Sequence, residues 1–399
     1  MSTSRSELHT ANRVLELGAG HPSAHGSMRL LAELDGEQIV SLQAEIGLGH
    51  RGFEKACEQR SWYQIVPWVE RLNPDAAPLV AAGYCQAVEA LLALDVPARG
   101  RWMRVLAGEL ARIGSHFGRM ASMSRVLQAT TPAQYALQAR ERVRDLLEAL
   151  SGARSGYGYV RIGGVARATP ADWSDRCRDA LGPVERGLRE TDALIGGNRL
   201  FVKRLAGTGV LSREACLAFG VTGPSARAAG WARDLRRQDA DPVYGELDFE
   251  VAIGRTGDNL DRYLVLVEEV RQSLRIVEQC LDGLAQMTPG AVASDDSRIV
   301  WPARGVRAEG DAALSAQTRA VTDGPLVPAG EVSHAVESAN GEVGFHLVAD
   351  GSGRPVRVRC RAPSFFHVQA LGPMMRGAPL ADVMPTLELL GIVGHECDR

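Results

Sequence analysis

His21 and His25 are the residues of this chain whose type and spacing are best suited to chemistry. They lie in the nine-residue segment Gly18-Ala-Gly-His-Pro-Ser-Ala-His-Gly26. Imidazole exchanges protons near neutral pH. A spacing of four would place both rings on one face of a helix, as in many metal sites, but Pro22 and the glycines disfavour a helix. The segment therefore predicts a loop that presents one or both imidazoles to a ligand. The alternative is that both rings only bond to local backbone.

Composition restricts the class of protein. The 399 residues are 45% hydrophobic and 23% charged, which is typical of a globular chain with a sizeable core. A net charge of −3 argues against a nucleic-acid-binding surface. Neither a membrane-spanning apolar run nor a secretory signal is expected. The seven cysteines are scattered without a C-x-x-C pair, so we expect a reducing compartment and neither a zinc site nor an iron–sulfur cluster in this chain.

The hydrophobic pattern divides the chain into three regions. Residues 1–60 hold the histidine loop and a β-hairpin, for which the Asp35-Gly36 pair is a strong turn signal. Residues 61–287 are helical, and such long helices usually pack as a bundle. Residues 288–399 begin with a long irregular connection to about 331 and continue into a second hairpin. The predicted helices span 73–95, 100–128, 133–150, 171–195 and 257–286, and the predicted strands span 28–34, 37–46, 343–349 and 356–360.

With these elements placed, the chain resembles a known family over nearly its whole length, from about Leu15 to Arg399. The family is the D subunit of bacterial NADH-quinone oxidoreductase, respiratory complex I, which is related to the large subunit of [NiFe] hydrogenases. Each matching segment alone is a weak motif, but together they follow the family's order. The segments are Gly20–Gly26, Ile46–Lys55, Glu109–His116, Tyr159–Val165, Thr222–Gly230, Gly341–Phe345 with Asp350-Gly351, and Arg359–Phe365. The ending Gly394-His-Glu-Cys-Asp-Arg399 is also similar.

The resemblance implies an α+β fold like that of the hydrogenase large subunit, with a central bundle of long helices flanked by N-terminal and C-terminal β-hairpin regions. It implies a peripheral-arm subunit without a cofactor or metal of its own. A partner protein would carry a [4Fe–4S] cluster, and quinone would be reduced in the cleft between the two. His25 corresponds to the proton-donating residue that binds the quinone headgroup, with His21 in the same quinone-binding loop. Arg51 corresponds to an arginine close to the partner's cluster.

The same resemblance implies a location and a set of partners. The chain would lie on the cytoplasmic side of a bacterial cell membrane, held there by other peripheral-arm and membrane subunits. The whole complex would couple electron transfer to proton translocation. NAD would be bound by other subunits, because Gly163-Gly164 lacks the strand–glycine–helix context of a dinucleotide site.

Three side chains expected from the family are missing. A quinone-binding tyrosine falls at Pro74, an aspartate that pairs with the loop histidine falls at Val126, and a histidine near the cluster falls at Gly156. One interpretation is a divergent complex in which Glu70, Tyr84 or another group substitutes. The alternative is a non-catalytic structural or assembly paralogue with weakened quinone chemistry. A nickel site is not expected, because the places of its cysteine pairs read Asn73-Pro-Asp-Ala76 and Val393-Gly-His-Glu-Cys397.

Three further residues are predicted to be structural. His116 lies in a helical run and is expected to be a core or interface histidine. Cys397 is expected to behave as a small buried hydrophobe. His50 adjoins Arg51 and is given no chemical role of its own.

These expectations predict that the purified chain contains neither iron, nickel nor flavin. Elemental analysis and flavin fluorescence of the isolated chain measure this directly. Stoichiometric metal would contradict the interpretation that the chemistry of the complex is carried by its partners.

Overall fold

The computed structural model describes residues 12–18, 28–238, 241–296, 298–299 and 310–399. Within these ranges the strands are β1 (Arg13–Leu17), β2 (Arg29–Asp35), β3 (Gln38–Glu45), β4 (Val160–Arg161), β5 (Gly164–Val165), β6 (Gly330–Glu337), β7 (Glu342–Ala349) and β8 (Arg357–Arg361). The helices are α1 (Phe53–Cys57), α2 (Trp62–Glu70), α3 (Ala77–Leu92), α4 (Ala98–Val126), α5 (Thr130–Ser151), α6 (Trp173–Ile195), α7 (Arg199–Leu205), α8 (Arg213–Phe219), α9 (Pro224–Ala228), α10 (Leu235–Gln238), α11 (Pro242–Glu246), α12 (Asn259–Gln286), α13 (Asp311–Thr322), α14 (Pro363–Met375), α15 (Val383–Leu390) and α16 (Gly394–Cys397). This mixture of long helices and small antiparallel sheets confirms the predicted α+β class.

The long helices α4, α5, α6 and α12 form the centre of the molecule. Helix α4 has 29 residues and is about 44 Å long, and most of its side chains are buried because neighbours surround it. Close packing depends on small residues at the crossings. A Cβ on Gly283 would lie 2.3 Å from the ring of Trp102, so only glycine allows α12 to approach α4 there.

A separate apolar cluster lies beneath the N-terminal sheet of β1, β2 and β3. Met28, which precedes β2, is fully buried in this cluster together with Ile392 and Cys397. Helix α14 packs across β3 on the same side. The cluster therefore joins the start of the chain to its last described residues.

The C-terminal sheet of β6, β7 and β8 packs against α3. Gly83 makes this approach possible, since a Cβ there would lie 2.9 Å from Cγ2 of Val336 on β6. Next to it, the rings of Tyr84 and Phe345 meet edge to face with centroids 5.7 Å apart. The sheet is thus tied to the helical centre through α3.

The sequence predicted both hairpins and all five long helices, with shifts of a few residues at their ends. The predicted helix 73–95 begins instead as a 3₁₀ turn, Pro74–Ala76, whose cap is the Asn73 side chain, before α3 starts at Ala77. The prediction of an irregular connection from 288 to 331 was wrong at α13, and the strand β6 and the short helices between 199 and 246 were missed. Those short elements bury few residues each, so their apolar periodicity is weak.

Charged side chains lie buried at the centre of the bundle. Glu109 accepts hydrogen bonds from the Tyr244 hydroxyl at 2.7 Å and the Ser273 hydroxyl at 2.6 Å, and it pairs with Arg112 and Arg236. All five side chains are less than a tenth exposed. They belong to four different parts of the chain, so this contact fixes how those parts lie together.

A second set of buried charges adjoins the first. Arg227 donates to Glu269 at 2.6 Å and to Glu337 at 2.7 Å, and Glu269 also lies 2.8 Å from Nε2 of His116. Burial lowers the pKa of His116 to about 4 despite this carboxylate, so the ring is neutral near pH 7. Burial alone would raise the pKa of Glu269, but Arg227 and His116 hold it well below its usual range.

Replacing Arg227 by methionine should therefore lower the free energy of unfolding by about 3–5 kcal/mol, because two buried carboxylates lose their cation. Denaturant unfolding of the purified chain measures this. The control is Arg154→Met, which removes an arginine that pairs with Glu141, Asp145 and Glu148 at an exposed site. Solvent screens those pairs, so the control should lose much less. Equal losses in the two variants would contradict a special role for the buried network.

Candidate functional site

The two histidines singled out by sequence, His21 and His25, lie outside the described residues, so their proposed roles are untested. The segment between β1 and β2 that contains them is bounded at one end by Met28, whose contacts are described. Met28 packs in the same cluster as Ile392, and Ile392 also lines a cavity. The residues around this cavity are the candidate site.

The cavity has a volume of about 370 Å³, within the range of small-molecule sites. Its walls come from four places: the turn at the start of α3, one face of α4, part of α5, and the segment from the end of α15 to α16. The lining residues are Asn73, Pro74, Asp75, Ser115, Gly118, Arg119, Ala121, Ser122, Arg125, Leu137, Arg140, Glu388, Gly391, Ile392, Val393, Gly394 and His395. Pro74, where the family resemblance led us to expect a tyrosine, is thus part of the wall.

Helical spacing explains the contribution of α4. Ser115, Gly118, Arg119 and Ser122 follow the i, i+3, i+4, i+7 pattern and so share one face. That face meets the cavity, whereas His116 is turned toward Glu269 in the buried network. One helix therefore carries the ionic core on one side and the cavity wall on another.

Glu396 holds the wall formed by α16 in place. Its carboxyl group accepts hydrogen bonds from Asn73 Nδ2 at 3.0 Å, from Asn340 Nδ2 at 2.7 Å and from the Ser364 backbone N–H at 3.2 Å. The side chain is fully buried, and burial raises its pKa above the usual range even though these donors oppose that shift. Because Asn73 precedes Pro74, this carboxyl group links two walls of the cavity.

Asp398 links the same segment to the loop that carries Arg51. Its side chain accepts hydrogen bonds from the backbone N–H groups of Gly47 at 2.6 Å and Gly49 at 2.7 Å. His50 Nδ1 lies 3.2 Å from the Asp398 carbonyl oxygen. This contact agrees with the structural role expected for His50. The segment Gly394–Arg399 thus connects the cavity to the 47–51 loop.

Arg51 is exposed, and its guanidinium lies 5.4 Å from the centre of the Trp68 ring. Arg60 also lies over this ring, at 4.2 Å. Burial of part of the Arg51 side chain lowers its pKa, and the nearby charge of Arg71 lowers it further. Arg51 and Arg60, with the charge of Arg71 nearby, therefore form a patch of positive charge around Trp68, which we call the Trp68 patch.

Charges inside the cavity are only partly paired. Asp75 accepts from Arg140 Nη2 at 2.5 Å and from Arg144 Nη2 at 3.1 Å, so this carboxylate is balanced by two cations. Arg119 differs: it is 8% exposed, and its Nη1 atom has no hydrogen-bond partner among the described residues. Burial lowers the pKa of Arg119 to about 10, which still leaves it charged at neutral pH.

The three departures from the family occupy different places. Pro74 lines the cavity, Val126 lines a separate groove with Phe201 and Met384, and Gly156 lies near Arg71. Neither of the substitutes suggested by sequence lines the cavity. The Tyr84 hydroxyl is buried and donates to the Trp62 carbonyl at 3.1 Å, and Glu70 accepts from the Gly158 backbone N–H at 2.9 Å.

The remaining sequence predictions can be compared with the structure. His116 and Cys397 are both buried, as expected for structural residues. Sequence reasoning did not single out Arg119, His395 or Glu396. A signal for Arg119 was present, since it is a lone charge in the otherwise uncharged run Phe117–Met123 of a helix. Within the described residues, acidic, histidine and cysteine side chains form no cluster of three or more that could hold a metal ion.

Among the helices that the structure describes, none has the length and apolar character required to cross a membrane.

Comparison with known proteins gives one consistent result. Residues 127–399 match the family model described as respiratory-chain NADH dehydrogenase, 49 Kd subunit. The D subunit of NADH-quinone oxidoreductase numbered 2 in Anaeromyxobacter sp. (strain Fw109-5) is 41% identical over 394 residues, which cover 99% of this chain and 90% of the relative. The D subunit from Myxococcus xanthus is 38% identical, covering 98% of this chain and 94% of the relative. The D subunit numbered 1 in Rhizobium etli (strain CIAT 652) is 40% identical, covering 98% and 100%.

The family match covers more than half of the chain, and these relatives align with nearly all of it. The chain belongs to the family of the 49 Kd subunit of respiratory-chain NADH dehydrogenase, the D subunit of NADH-quinone oxidoreductase.

Proposed function

We propose that this chain is a peripheral-arm subunit of a complex I-like NADH-quinone oxidoreductase and that it forms one wall of the cleft in which quinone is reduced. A partner protein would contribute a [4Fe–4S] cluster as electron donor. This chain would hold the quinone headgroup and supply a proton. The complex as a whole would couple the reaction to proton translocation at the cytoplasmic side of the membrane, with other subunits holding this chain there.

One observation carries the proposal: the segment Gly394–Arg399 connects the cavity to the loop of Arg51. Glu396 binds Asn73 in the cavity wall, and Asp398 binds the backbone of Gly47 and Gly49. A redox cleft needs a place for the acceptor close to a surface that receives the electron donor. The connection between cavity and Trp68 patch supports that arrangement.

The chain length supports a position of His25 near the same cavity. Met28 is buried with Ile392, which lines the cavity. Three residues of fully extended chain span at most about 11 Å. His25 stands three residues before Met28 in the sequence, and an imidazole is a competent proton donor at neutral pH.

The Trp68 patch suits a surface that faces the partner's cluster. Arg51 is an exposed cation there, and a fixed positive charge stabilises the reduced form of a neighbouring redox centre. Beneath the patch, Glu70 is 2% exposed. Burial raises the pKa of Glu70 to about 7, although the Gly158 N–H and the charge of Arg71 oppose that shift.

Replacing His25 by alanine in the assembled complex should lower quinone reduction by about 10²-fold or more, because a general acid contributes roughly that factor. NADH oxidation with a short-chain quinone measures the loss. Electron transfer from NADH to an artificial acceptor that bypasses quinone should be unchanged and serves as the control for assembly.

His50→Ala is the matched control, because it also removes an imidazole, but one that contacts the Asp398 backbone. Its quinone turnover should remain near that of the unmodified complex. Full quinone turnover in His25→Ala would contradict the proposal and favour a non-catalytic structural or assembly role.

Glu70 leads to a separate prediction about pH. The unfolded chain releases this proton near pH 4.5, whereas the folded chain keeps it up to about pH 7. The free energy of unfolding should therefore fall as the pH rises through this window, by about 3 kcal/mol at most. Glu70→Gln should remove this part of the pH dependence. Unfolding measured from pH 4.5 to 7.5 tests it, with exposed Glu278→Gln as the control, and identical slopes in Glu70→Gln and the unmodified chain would contradict it.

A further inference from the structure

Arg119 is a buried cation at the cavity whose Nη1 atom finds no acceptor within the part of the chain that the structure describes. Its guanidinium packs against Gly391: a Cβ placed on that glycine would lie 2.4 Å from Cζ and 2.7 Å from Nη1. Gly391 has φ +70°, a conformation that also favours glycine. The wall opposite α4 is therefore shaped to accommodate this side chain.

Other buried arginines show what is unusual here. Arg104 binds Glu89 at 2.9 Å, Arg227 binds Glu269 at 2.6 Å and Arg236 binds Asp234 at 2.7 Å. Arg262, which has no carboxylate bonded to it among the described residues, donates instead to the carbonyl oxygens of Gly209 and Gly257, although its Nε atom has no partner there either.

A buried guanidinium with an unused donor costs free energy, because the lost water is not replaced. The charges around Arg119 do not supply the missing bond. Burial has the largest effect on the pKa of Arg119 and lowers it. Four carboxylates raise this pKa through space, in decreasing order Glu269, Glu388, Glu396 and Asp75. Glu269 and Asp75 are bonded to other arginines, and Glu396 is bonded to Asn73, Asn340 and Ser364. The open donor thus belongs to a side chain that lines the cavity, and it lacks an acceptor among the described residues.

The ligand class follows from the donor. Arginine offers only N–H donors in a plane, so it selects an electron-rich oxygen. Pro74, on the same cavity wall, has neither an N–H nor a polar side chain to offer.

We propose that Arg119 binds a carbonyl oxygen of the quinone headgroup in this cavity, as the donor in place of a phenol at position 74. This assignment rests on the proposed function. Arg119 acts as a fixed cation that holds the oxygen and stabilises negative charge on it. It supplies no proton, because its guanidinium stays charged.

The test is Arg119→Met in the assembled complex, with short-chain ubiquinone and menaquinone analogues as probes. Loss of a charged hydrogen bond should raise the KM for quinone by about tenfold or more. The pH profile of kcat should keep its shape, because Arg119 is not a proton donor. Arg119→Lys keeps the charge without the planar fork and should give an intermediate KM.

Arg144→Met is the matched control. It also removes one positive charge, from an arginine that is bonded to Asp75, to which Arg140 remains bonded. Its KM should stay within about twofold of the unmodified complex. Electron transfer from NADH to an acceptor that bypasses quinone reports assembly in every variant.

The outcomes separate the two proposals. A complex that never reduces quinone would overturn the proposed function. A complex that reduces quinone with an unchanged KM in Arg119→Met would overturn the role of Arg119 alone. Equal increases in KM for Arg119→Met and Arg144→Met would show a general effect of charge and would also overturn it. If Arg119→Met does not assemble, an unchanged KM in Arg119→Lys would overturn the role, and a raised one would support it.

Discussion

Buried ionised side chains at the centre of the helix bundle impose the constraint on which the rest of this fold depends. A carboxylate such as Glu109 is stable in the interior only when donors surround it. Those donors come from Arg112 on the same helix and from Arg236, Tyr244 and Ser273, which lie far away in the sequence. Satisfying this one group therefore fixes α4 against α10, α11 and α12. A neighbouring face of α4 is then held still as a wall of the cavity.

A second buried carboxyl group, at the edge of the cavity, also requires donors around it, and here the donors are neutral. Glu396 is surrounded by amide and hydroxyl donors from Asn73, Asn340 and Ser364, and burial raises its pKa. A carboxyl group in such surroundings fixes geometry without concentrating charge. Arg119 thus remains a cation at the cavity, where Glu269, Asp75 and Glu396 are each bonded to other side chains.

Patterns within short stretches of the sequence predicted the secondary-structure elements that short-range interactions determine. Asp35-Gly36 marked the first hairpin, and apolar periodicity marked the long helices. The cavity could not be predicted in this way, because its walls come from residues 73–75, 115–125, 137–140 and 388–395, and no local pattern relates them. The family resemblance identified Pro74 as a departure but could not show that Arg119 lies on the same cavity. Helix α13 was missed because a short run of small and polar residues resembles a loop.

Under the proposed function, the proline at position 74 changes which residue binds the quinone oxygen and which residue donates the proton. A phenol can both bind a carbonyl oxygen and donate a proton to it. Arg119 can do only the first, because a guanidinium holds its proton at every physiological pH. Proton donation would then depend on an imidazole. His25 stands three residues before Met28 in the sequence, and His395 is an exposed residue of the cavity wall. Binding and protonation of the quinone would therefore lie on separate residues, each of which can be altered without the other.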